Sequence, residues 1–253
     1  MKLLVDVGNT RVKWAWLAGG ELLDPGTLAH AGLGADVLAA RIAAGRAAAE
    51  VRLASVAGAG FTAALDAALG RATGVPVRQV HTSRAAAGVR NAYTEPRQLG
   101  VDRWLAMLGA YARLRSAVCV VDAGTAWTVD LVDANGDHLG GLIVPGPELM
   151  RRSLVGSTGG IDTAVRLLPG ATAGVAAWGR DTEACMRSGA QRAGVSLVES
   201  SVRDFARIQA VTPTLVLTGG DAPGLLAMLS VPAQHRPWLV LEGLALAEAG
   251  DAG

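Results

Sequence analysis

Hydrophobic and polar positions at the start of the chain predict a β-hairpin. Leu3–Val5 is a short apolar run, typical of a strand buried on both faces. Gly8 and Asn9 interrupt the apolar pattern, and both residue types tolerate the positive φ angle of a tight turn. From Arg11 to Trp16, bulky apolar residues then alternate with charged or small ones, as in a half-buried strand. The prediction is a hairpin over residues 3–16.

The predicted bend of this hairpin combines side chains that suit a nucleotide phosphate. Asp6, Asn9 and Thr10 lie at the bend, and Lys13 follows just beyond it. A bend without bulky side chains lets backbone N–H groups approach an anion, while Thr10 adds a hydroxyl and Lys13 a cation. The carboxylate of Asp6 can hold Mg²⁺ through water. An ordinary hairpin explains this one short motif about equally well, because short motifs have many false matches.

The same pattern occurs a second time in the chain. Residues Val120–Leu139 read as an apolar strand, an Asp-x-Gly turn with a threonine, an alternating strand and a Gly turn. At a constant offset of 116 residues the two copies share four identities at turn positions, namely Asp6/Asp122, Gly8/Gly124, Ala18/Ala134 and Gly20/Gly136. This repeat predicts two related lobes, each with an Asp/Gly/Thr bend, and two facing bends would form a cleft for a polyphosphate.

The remaining pattern alternates strands with helices. A third strand over residues 21–30 is predicted to be broken at Pro25-Gly26, and further strands are predicted over residues 51–56, 77–82, 117–122, 126–133, 138–144 and 215–218. Helices are predicted over residues 35–50, 61–72, 104–114, 148–154, 181–193, 202–209 and 222–229. Because the second half begins like the first, the boundary is predicted near Ser116, with lobes of residues 1–115 and 116–253.

Composition and charge narrow the classes of protein. The chain has 253 residues, of which 51% are apolar, so it can build a large core. It contains no apolar run long enough to span a membrane, and Asp6 interrupts the only N-terminal stretch that could resemble a signal peptide, which predicts a cytoplasmic protein. A net charge of +1 gives no reason to expect nucleic acid. Two distant cysteines and four scattered histidines predict reduced, buried thiols and no metal cluster.

A second group of candidate residues lies in the middle of the chain. Asp102 follows Gly100 at a predicted helix start, where it is either a simple capping acid or a proton acceptor for a substrate hydroxyl. The neighbouring Arg103 can hold an anionic group, and Tyr93 can close over the same ligand. Thr182 stands at another predicted helix start, where a capping role is the default interpretation.

Several of these motifs together resemble type III pantothenate kinase, in the same order and at similar spacing. They are Asp6–Lys13 (DVGNTRVK), Gly100–Arg103 (GVDR), Asp122–Thr125 (DAGT), Gly140–Gly146 (GGLIVPG), Leu217–Gly220 (LTGG) and Leu239–Leu244 (LVLEGL). The resemblance covers essentially the whole chain, and several motifs in register are far more specific than any single one.

The resemblance implies an α/β fold of the acetate and sugar kinase/actin type, with two RNase H-like lobes and ATP in the cleft between them. It also implies ATP-dependent phosphorylation of the terminal hydroxyl of pantothenate to 4′-phosphopantothenate, the first step of coenzyme A biosynthesis. The implied cofactors are ATP with Mg²⁺ and a monovalent cation, K⁺ or NH₄⁺. The implied assembly is a homodimer with its substrate pocket at the subunit interface.

Site residues carry over from the family by position. The ATP-binding set is Asp6, Val7, Gly8, Asn9, Thr10, Arg11, Val12 and Lys13, with Thr125 from the second lobe. The pantothenate-binding set is Tyr93, Gly100, Val101, Asp102, Arg103 and Thr182, with Asp102 as the proton acceptor. Asp122 would bind the monovalent cation, and Asp6 would hold Mg²⁺ through water.

Two alternatives remain open at this stage. A non-enzymatic regulatory accessory factor of the same fold would have lost Asp102, Lys13 or Asp122, but all three are present. A regulator that binds DNA directly would also need a basic face or a helix-turn-helix signal, and the sequence shows neither. A kinase of the same fold acting on a sugar or another small hydroxy acid is disfavoured only by the Gly-x-Asp-Arg segment and Tyr93.

Overall fold

The computed structural model describes residues 1–157 and 178–247 and contains two compact units. The first unit comprises Met1–Arg115, Gly136–His138 and the chain from Trp238 onward, and the second comprises Ser116–Asn135 and Leu139–Pro237. Among the described helices, none is long and apolar enough to cross a membrane.

The elements follow one another in the order of the chain. The strands are β1 (Lys2–Val7), β2 (Arg11–Ala18), β3 (Glu21–Ala29), β4 (Glu50–Ser55), β5 (Val77–Gln79), β6 (Ala85–Ala86), β7 (Val89–Arg90), β8 (Val118–Ala123), β9 (Ala126–Val132), β10 (His138–Pro145), β11 (Thr214–Thr218) and β12 (Ala233–His235). The helices are α1 (Ala35–Ala43), α2 (Ala59–Thr73), α3 (Val101–Leu114), α4 (Pro147–Ser157), α5 (Thr182–Gln209), α6 (Ala222–Leu226) and α7 (Leu239–Leu246), with a short 3₁₀ turn at Pro96–Gln98.

The two units repeat one sheet topology. The first sheet has the strand order β3-β2-β1-β4-β5 and the second has the order β10-β9-β8-β11-β12. In each sheet the first hairpin is antiparallel, and the following strands join in parallel after helical crossovers. The predicted duplication is therefore present in the fold as well as in the sequence.

The register of the two hairpins differs by one residue. Asp6 pairs with Lys13 in the first hairpin, and Asp122 pairs with Thr128 in the second. The aspartates are 116 residues apart, but their partners are only 115 residues apart. The second turn is therefore one residue shorter than the first.

This shorter turn changes which residues correspond. Thr125 occupies the place of Thr10, and Asn9 has no counterpart in the second turn. The threonines of the two bends are thus equivalent, which an offset of 116 residues does not show. The matches of Ala18 with Ala134 and of Gly20 with Gly136 lie beyond this turn and stay predictions, and Gly20 and Gly136 both have a φ angle of +85°.

Strand β3 is continuous, whereas the sequence predicted a break at Pro25-Gly26. Trp14 pairs with Gly26 and Trp16 pairs with Leu23, so one extra residue forms a bulge in β3. Pro25 lies in this bulge of an edge strand, a place where a strand tolerates proline. Gly26 is required because a Cβ at that position would collide with the Trp14 ring.

Two helix predictions were wrong in length. Helix α1 ends at Ala43 instead of residue 50, because Ala44 and Gly45 adopt positive φ angles and turn the chain toward β4. Helix α5 is one helix of 28 residues, whereas two shorter helices were predicted. Gly194, within the predicted gap, lies against the ring of Trp127 in the core of the second unit, so the glycine there serves close packing and does not end the helix.

The closing helix α7 belongs to the first unit, although the sequence placed it in a lobe of residues 116–253. It packs on α3 at very short range, since a Cβ on Gly243 would collide with the backbone of Leu105, and a Cβ on Gly109 would collide with the carbonyl of Leu239.

The prediction of two buried thiols is confirmed for one cysteine only. Cys119 is buried, and burial raises the pKa of its thiol to about 12, whereas Cys185 is exposed.

An ion pair fastens the end of α7 to β4. Glu50 accepts hydrogen bonds from Lys2 at 2.8 Å and from Arg52 at 2.8 Å, and these bonds lower the pKa of Glu50 from 4.5 to about 2. The Arg52 guanidinium also donates to three backbone carbonyls at the end of α7, the shortest bond being 2.6 Å to Ala247. Glu50 thus orients the side chain that holds the end of α7.

We expect Glu50→Gln to lower the free energy of unfolding at neutral pH by roughly 1–3 kcal/mol. Because the pKa of Glu50 is lowered in the folded state, its contribution is complete above the unfolded pKa of 4.5 and is lost as the pH falls toward 2. In urea unfolding, the difference between wild type and variant should therefore shrink across that interval. The exposed Glu21→Gln serves as the control, and a pH-independent difference for Glu50→Gln would contradict the prediction.

Candidate active site

The first bend connects β1 and β2 through Gly8, Asn9 and Thr10. The N–H of Gly8 donates to the carbonyl of Arg11 at 2.9 Å. Neither Gly8 nor Asn9 has a positive φ angle, so the reason given for them from the sequence was wrong. Glycine is favoured at position 8 because an added Cβ would lie only 3.2 Å from the Arg11 carbonyl. The bend is therefore tight because the backbone approaches itself closely.

The predicted ATP-binding side chains of this bend fall into three groups. Asp6 is 7% exposed and pairs across the hairpin with the half-buried Lys13, so the carboxylate and the ammonium group share one face of the sheet. Asn9, Thr10 and Arg11 are exposed. The side chains of Val7 and Val12 lie in the hydrophobic core, so only the backbone of these two residues can reach a ligand.

His30 holds the first bend, a role that the sequence analysis did not detect. Its backbone N–H donates to the carbonyl of Thr10 at 3.3 Å, and its Nε2 lies 3.0 Å from the carbonyl oxygen of Gly8. The imidazole stacks on Phe61, with ring centroids 4.7 Å apart and an interplanar angle of 27°. No local pattern signals this contact, because it joins residues 22 positions apart.

The second bend, at Gly124-Thr125, is enclosed by glycines. The N–H of Gly146 donates to the carbonyl of Thr125 at 2.9 Å, and a Cβ on Gly146 would lie 2.8 Å from the same oxygen. On another side, Gly219 has a φ angle of +95°, and a Cβ there would collide with the carbonyl of Ala123. Substituting either glycine would displace the backbone of the bend.

A buried tryptophan and a carboxylate support the second bend. Trp127 donates from Nε1 to Oδ2 of Asp221 at 3.3 Å, and the N–H of Asp221 donates to the carbonyl of Ala123 at 2.8 Å. Burial raises the pKa of Asp221, as does the charge of Glu148, while the Trp127 hydrogen bond opposes the shift. Asp221 therefore ties the Gly-Gly turn after β11 to the hairpin.

An oxygen-rich position lies beside Asp122. Thr218 pairs with Asp122 in the parallel ladder between β8 and β11, which places both side chains on the same face. Thr218 is 0% exposed, and its Oγ1 has no hydrogen-bond partner among the described residues. A buried hydroxyl next to a carboxylate suits an oxygen-coordinated cation. Within the same described ranges, no cluster of three or more His, Cys, Asp or Glu residues could hold a metal.

The segment Gly100–Arg103, which is predicted to bind the substrate, opens helix α3. Gly100 is the N-cap, and a Cβ there would lie 2.7 Å from Oδ1 of Asp102. Asp102 lies in the first turn, where its Oδ1 accepts the N–H of Arg103 at 2.8 Å. The positive end of the helix dipole favours a carboxylate at this position. Asp102 is therefore not the N-cap residue itself, and Val101 beside it is buried.

The side chains of Arg103 and Tyr93 contact each other. Arg103 is 6% exposed, and its Nη1 donates to Oη of Tyr93 at 3.2 Å. The N–H of Tyr93 donates to the side chain of Asn91 at 2.9 Å, and the Tyr93 ring stacks on the buried His138. The structure thus brings together three predicted substrate residues, and it adds His138, which no sequence motif connects with them.

A cleft of about 340 Å³ adjoins the start of α3 in the first unit. Its walls come from the end of β4, from the segment that follows β5, from the 3₁₀ turn and from the start of α3. The lining residues are Ser55, Val56, His81, Thr82, Arg97, Gln98, Leu99, Gly100 and Val101. The carboxyl ends of parallel strands are common ligand sites in α/β folds. The cleft therefore offers room for a small molecule beside Gly100 and Val101.

Thr182 belongs to the second unit, where it is the first residue of α5. The capping residue of this helix is Asp181, whose Oδ1 accepts the N–H of Ala184 at 2.8 Å, so the default interpretation of Thr182 as a cap was wrong. Thr182 is exposed and is followed by Glu183, which binds the buried Arg151 at 2.8 Å.

Comparison with protein families gives a clear match. Residues 2–204 match the family model described as type III pantothenate kinase. The type III pantothenate kinase of Aromatoleum aromaticum is 41% identical over 254 residues, and the alignment covers 100% of this chain and 99% of that protein. The resemblance found in the motifs is thereby confirmed.

Solved structures share the architecture at lower identity. One from Sinorhizobium meliloti, provisionally named a 2-dehydro-3-deoxygalactonokinase, is 16% identical with a TM-score of 0.57, and the alignment covers 97% of each chain. One from Campylobacter jejuni, provisionally named a Baf family transcriptional activator, is 20% identical with a TM-score of 0.57 and covers 96% of this chain and 94% of that chain. Such likeness shows the fold alone, and the predicted α/β fold of the sugar kinase/actin type is confirmed.

Proposed function

The chain belongs to the type III pantothenate kinase family, and from this premise we propose how its residues bind both substrates and transfer the phosphoryl group. The family phosphorylates pantothenate in coenzyme A biosynthesis, so the chain is an ATP-dependent kinase that forms 4′-phosphopantothenate. The observation that carries this conclusion is the family match over residues 2–204, because it spans the first bend, the segment Gly100–Arg103 and the second bend.

The first bend is proposed to bind the phosphates of ATP. Asp6 and Lys13 face the same side of the hairpin, so the carboxylate can hold Mg²⁺ through water while the ammonium group neutralises a phosphate oxygen. The backbone N–H groups of the bend and the hydroxyl of Thr10 complete the phosphate contacts. Thr125, the counterpart of Thr10 in the second unit, supplies the equivalent hydroxyl.

Pantothenate is proposed to bind at the start of α3. The buried Arg103 guanidinium binds the carboxylate of pantothenate, because a charged group with little solvent access favours an anionic partner. The oxygen of Tyr93 accepts from Arg103, so the phenolic proton remains available for donation to the substrate. Gly100 and Val101 would line the ligand, and Thr182 would contribute a hydroxyl from the second unit.

Asp102 is proposed to accept the proton of the attacking hydroxyl. Its Oδ1 is oriented by the N–H of Arg103, which holds the carboxylate in the first turn of α3. Phosphoryl transfer depends mostly on positioning and charge neutralisation, so Mg²⁺, Lys13 and the bends should provide most of the rate enhancement. Proton acceptance by Asp102 adds roughly 10²–10⁴-fold, the usual range for such groups.

A monovalent cation, K⁺ or NH₄⁺, is proposed to bind at Asp122. The hydroxyl of the buried Thr218, which has no hydrogen-bond partner in the described part of the chain, lies beside this carboxylate and supplies a second oxygen ligand. Such a cation would supply positive charge close to the second bend, where it favours the bound phosphates.

A homodimer is proposed, and the second unit offers a surface for it. Edge strand β10 exposes Leu139, Leu142 and Ile143, the last being 62% exposed, and Leu149 of α4 is exposed as well. An apolar edge strand on the surface usually marks an association site. A second copy of the chain is the proposed partner, with no nucleic acid or membrane involved.

The overall proposal predicts ADP release that requires pantothenate. With ATP and Mg²⁺ supplied, turnover should appear only when pantothenate is added, and it should fall when potassium is replaced by sodium. If turnover does not depend on potassium, the result would contradict the proposed cation site at Asp122 but not the kinase activity. Release of ADP with a sugar but not with pantothenate would contradict pantothenate as the phosphoryl acceptor.

We expect Asp102→Asn to retain ATP affinity but to lose roughly 10²–10⁴-fold in kcat, because the amide cannot accept a proton. Steady-state ADP release and ATP binding by calorimetry measure the two effects. Asp36→Asn, at an exposed aspartate in the same unit, is the matched control and should behave as wild type. Equal turnover for Asp102→Asn and wild type would rule out the proposed role.

We expect Ile143→Lys to shift the protein from dimer to monomer, because a charge on the β10 edge opposes apolar association. Sedimentation or light scattering at micromolar concentration measures the mass. Val37→Lys changes an exposed apolar residue of α1 in the same way and should leave the dimer intact. A dimer that persists in Ile143→Lys would place the interface elsewhere.

A further inference from the structure

We propose that His30 is a positioning residue for the first phosphate bend, in that it holds two carbonyls of the bend and so directs the neighbouring N–H groups toward the phosphates of ATP. This inference rests on the proposed function, since it concerns the same phosphate site. His30 stands directly after β3 and is half-buried, and none of the family motifs includes it.

His30 contacts the bend at two carbonyls on either side of Asn9. The backbone N–H of His30 binds the Thr10 oxygen at 3.3 Å, and the ring Nε2 lies 3.0 Å from the Gly8 oxygen. A carbonyl oxygen only accepts hydrogen bonds, so Nε2 must carry the hydrogen in this contact. One residue therefore fixes two of the peptide groups that form the bend.

Fixing these carbonyls also fixes the N–H groups that follow them. The peptide bonds are trans, so the N–H of each planar peptide group points opposite to its C=O. With the carbonyls of Gly8 and Thr10 turned toward His30, the N–H groups of Asn9 and Arg11 are turned away from it. Backbone N–H groups of one turn that face the same side can form the kind of concavity that binds an anion.

The second unit provides an internal comparison. Gly146 follows β10 as His30 follows β3, and its N–H makes the equivalent bond to the carbonyl of Thr125. A side chain at Gly146 has no room, because a Cβ would lie 2.7 Å from the Gly124 oxygen. The longer first turn leaves room for an imidazole at the corresponding place, and the imidazole supplies the hydrogen bond to Gly8. The side chain of His30 is thus the feature by which the two bends are held differently.

Phe61 keeps the imidazole in place. The ring of Phe61, in the first turn of α2, stacks on His30 and packs against the core of the first unit. Stacking fixes the plane of the imidazole, so that Nε2 remains directed at the Gly8 carbonyl. The side chain therefore has two separable properties, its apolar ring face and its Nε2 hydrogen.

Two variants separate these properties. His30→Phe retains a ring that can stack on Phe61 but removes the hydrogen-bond donor. His30→Gln removes the ring but retains an N–H donor, because the amide Nε2 of glutamine is three bonds from Cβ, as is Nε2 of histidine. Calorimetry with ADP and with adenosine measures whether an effect depends on phosphate, and thermal unfolding monitors the fold.

We expect His30→Phe to weaken ADP binding about threefold to tenfold, the usual effect of one lost hydrogen bond, and to leave adenosine binding within about twofold of wild type. His30→Gln should bind ADP within about twofold of wild type. A role in packing alone predicts the opposite order of the two variants. That order, or an equal loss of adenosine affinity, would overturn the inference.

Turnover measured on the same samples distinguishes this inference from the proposed function. Wild-type protein that binds ADP and shows the expected variant order, but does not phosphorylate pantothenate, would contradict the acceptor and support the role of His30. Wild-type protein without measurable ADP affinity would overturn both. A pantothenate KM that is unchanged in His30→Phe while the ATP KM rises would support the inference further.

Discussion

Both bends depend on one constraint, the hydrogen bond to the carbonyl of their threonine. In the first unit the N–H of His30 binds Thr10, and in the second the N–H of Gly146 binds Thr125. Because a peptide group is rigid, holding a carbonyl on one side of the bend directs the next N–H to the other side. The residue that follows β3 or β10 therefore shapes the side of the bend that is proposed to bind phosphate, without touching the ligand itself.

Close approach of backbone segments is the second recurring feature. Gly146 and Gly219 pack directly on the backbone of the second bend, and Gly243 packs on that of α3. Any side chain at these positions would collide with a carbonyl group, so the glycines are required by space. At Gly219 the positive φ angle adds a second reason. Short distances of this kind hold a site rigidly, since its walls are backbone and cannot change rotamer.

Local sequence patterns predicted the hairpins and most strands well, because alternation of apolar and polar residues reports directly on sheet faces. They failed where packing overrides propensity. Two helices were predicted with a gap that begins at Gly194, yet α5 is continuous there and Gly194 packs against Trp127. The α7 helix followed the second lobe in the sequence but packs on α3 of the first unit, and no local signal encodes such a long-range partner.

The sequence by itself determined the type of chemistry, because the charged and small residues of the bends and of the segment at Asp102 are local motifs with their own physical logic. Their duplication also indicated two related units. Only the tertiary structure decided how these residues are held. The contacts of His30 with the first bend, of Tyr93 with Arg103, and of Thr218 beside Asp122 join elements distant in the chain. Such contacts depend on sheet register and helix packing, which are properties of the whole fold and leave no periodic trace in the sequence.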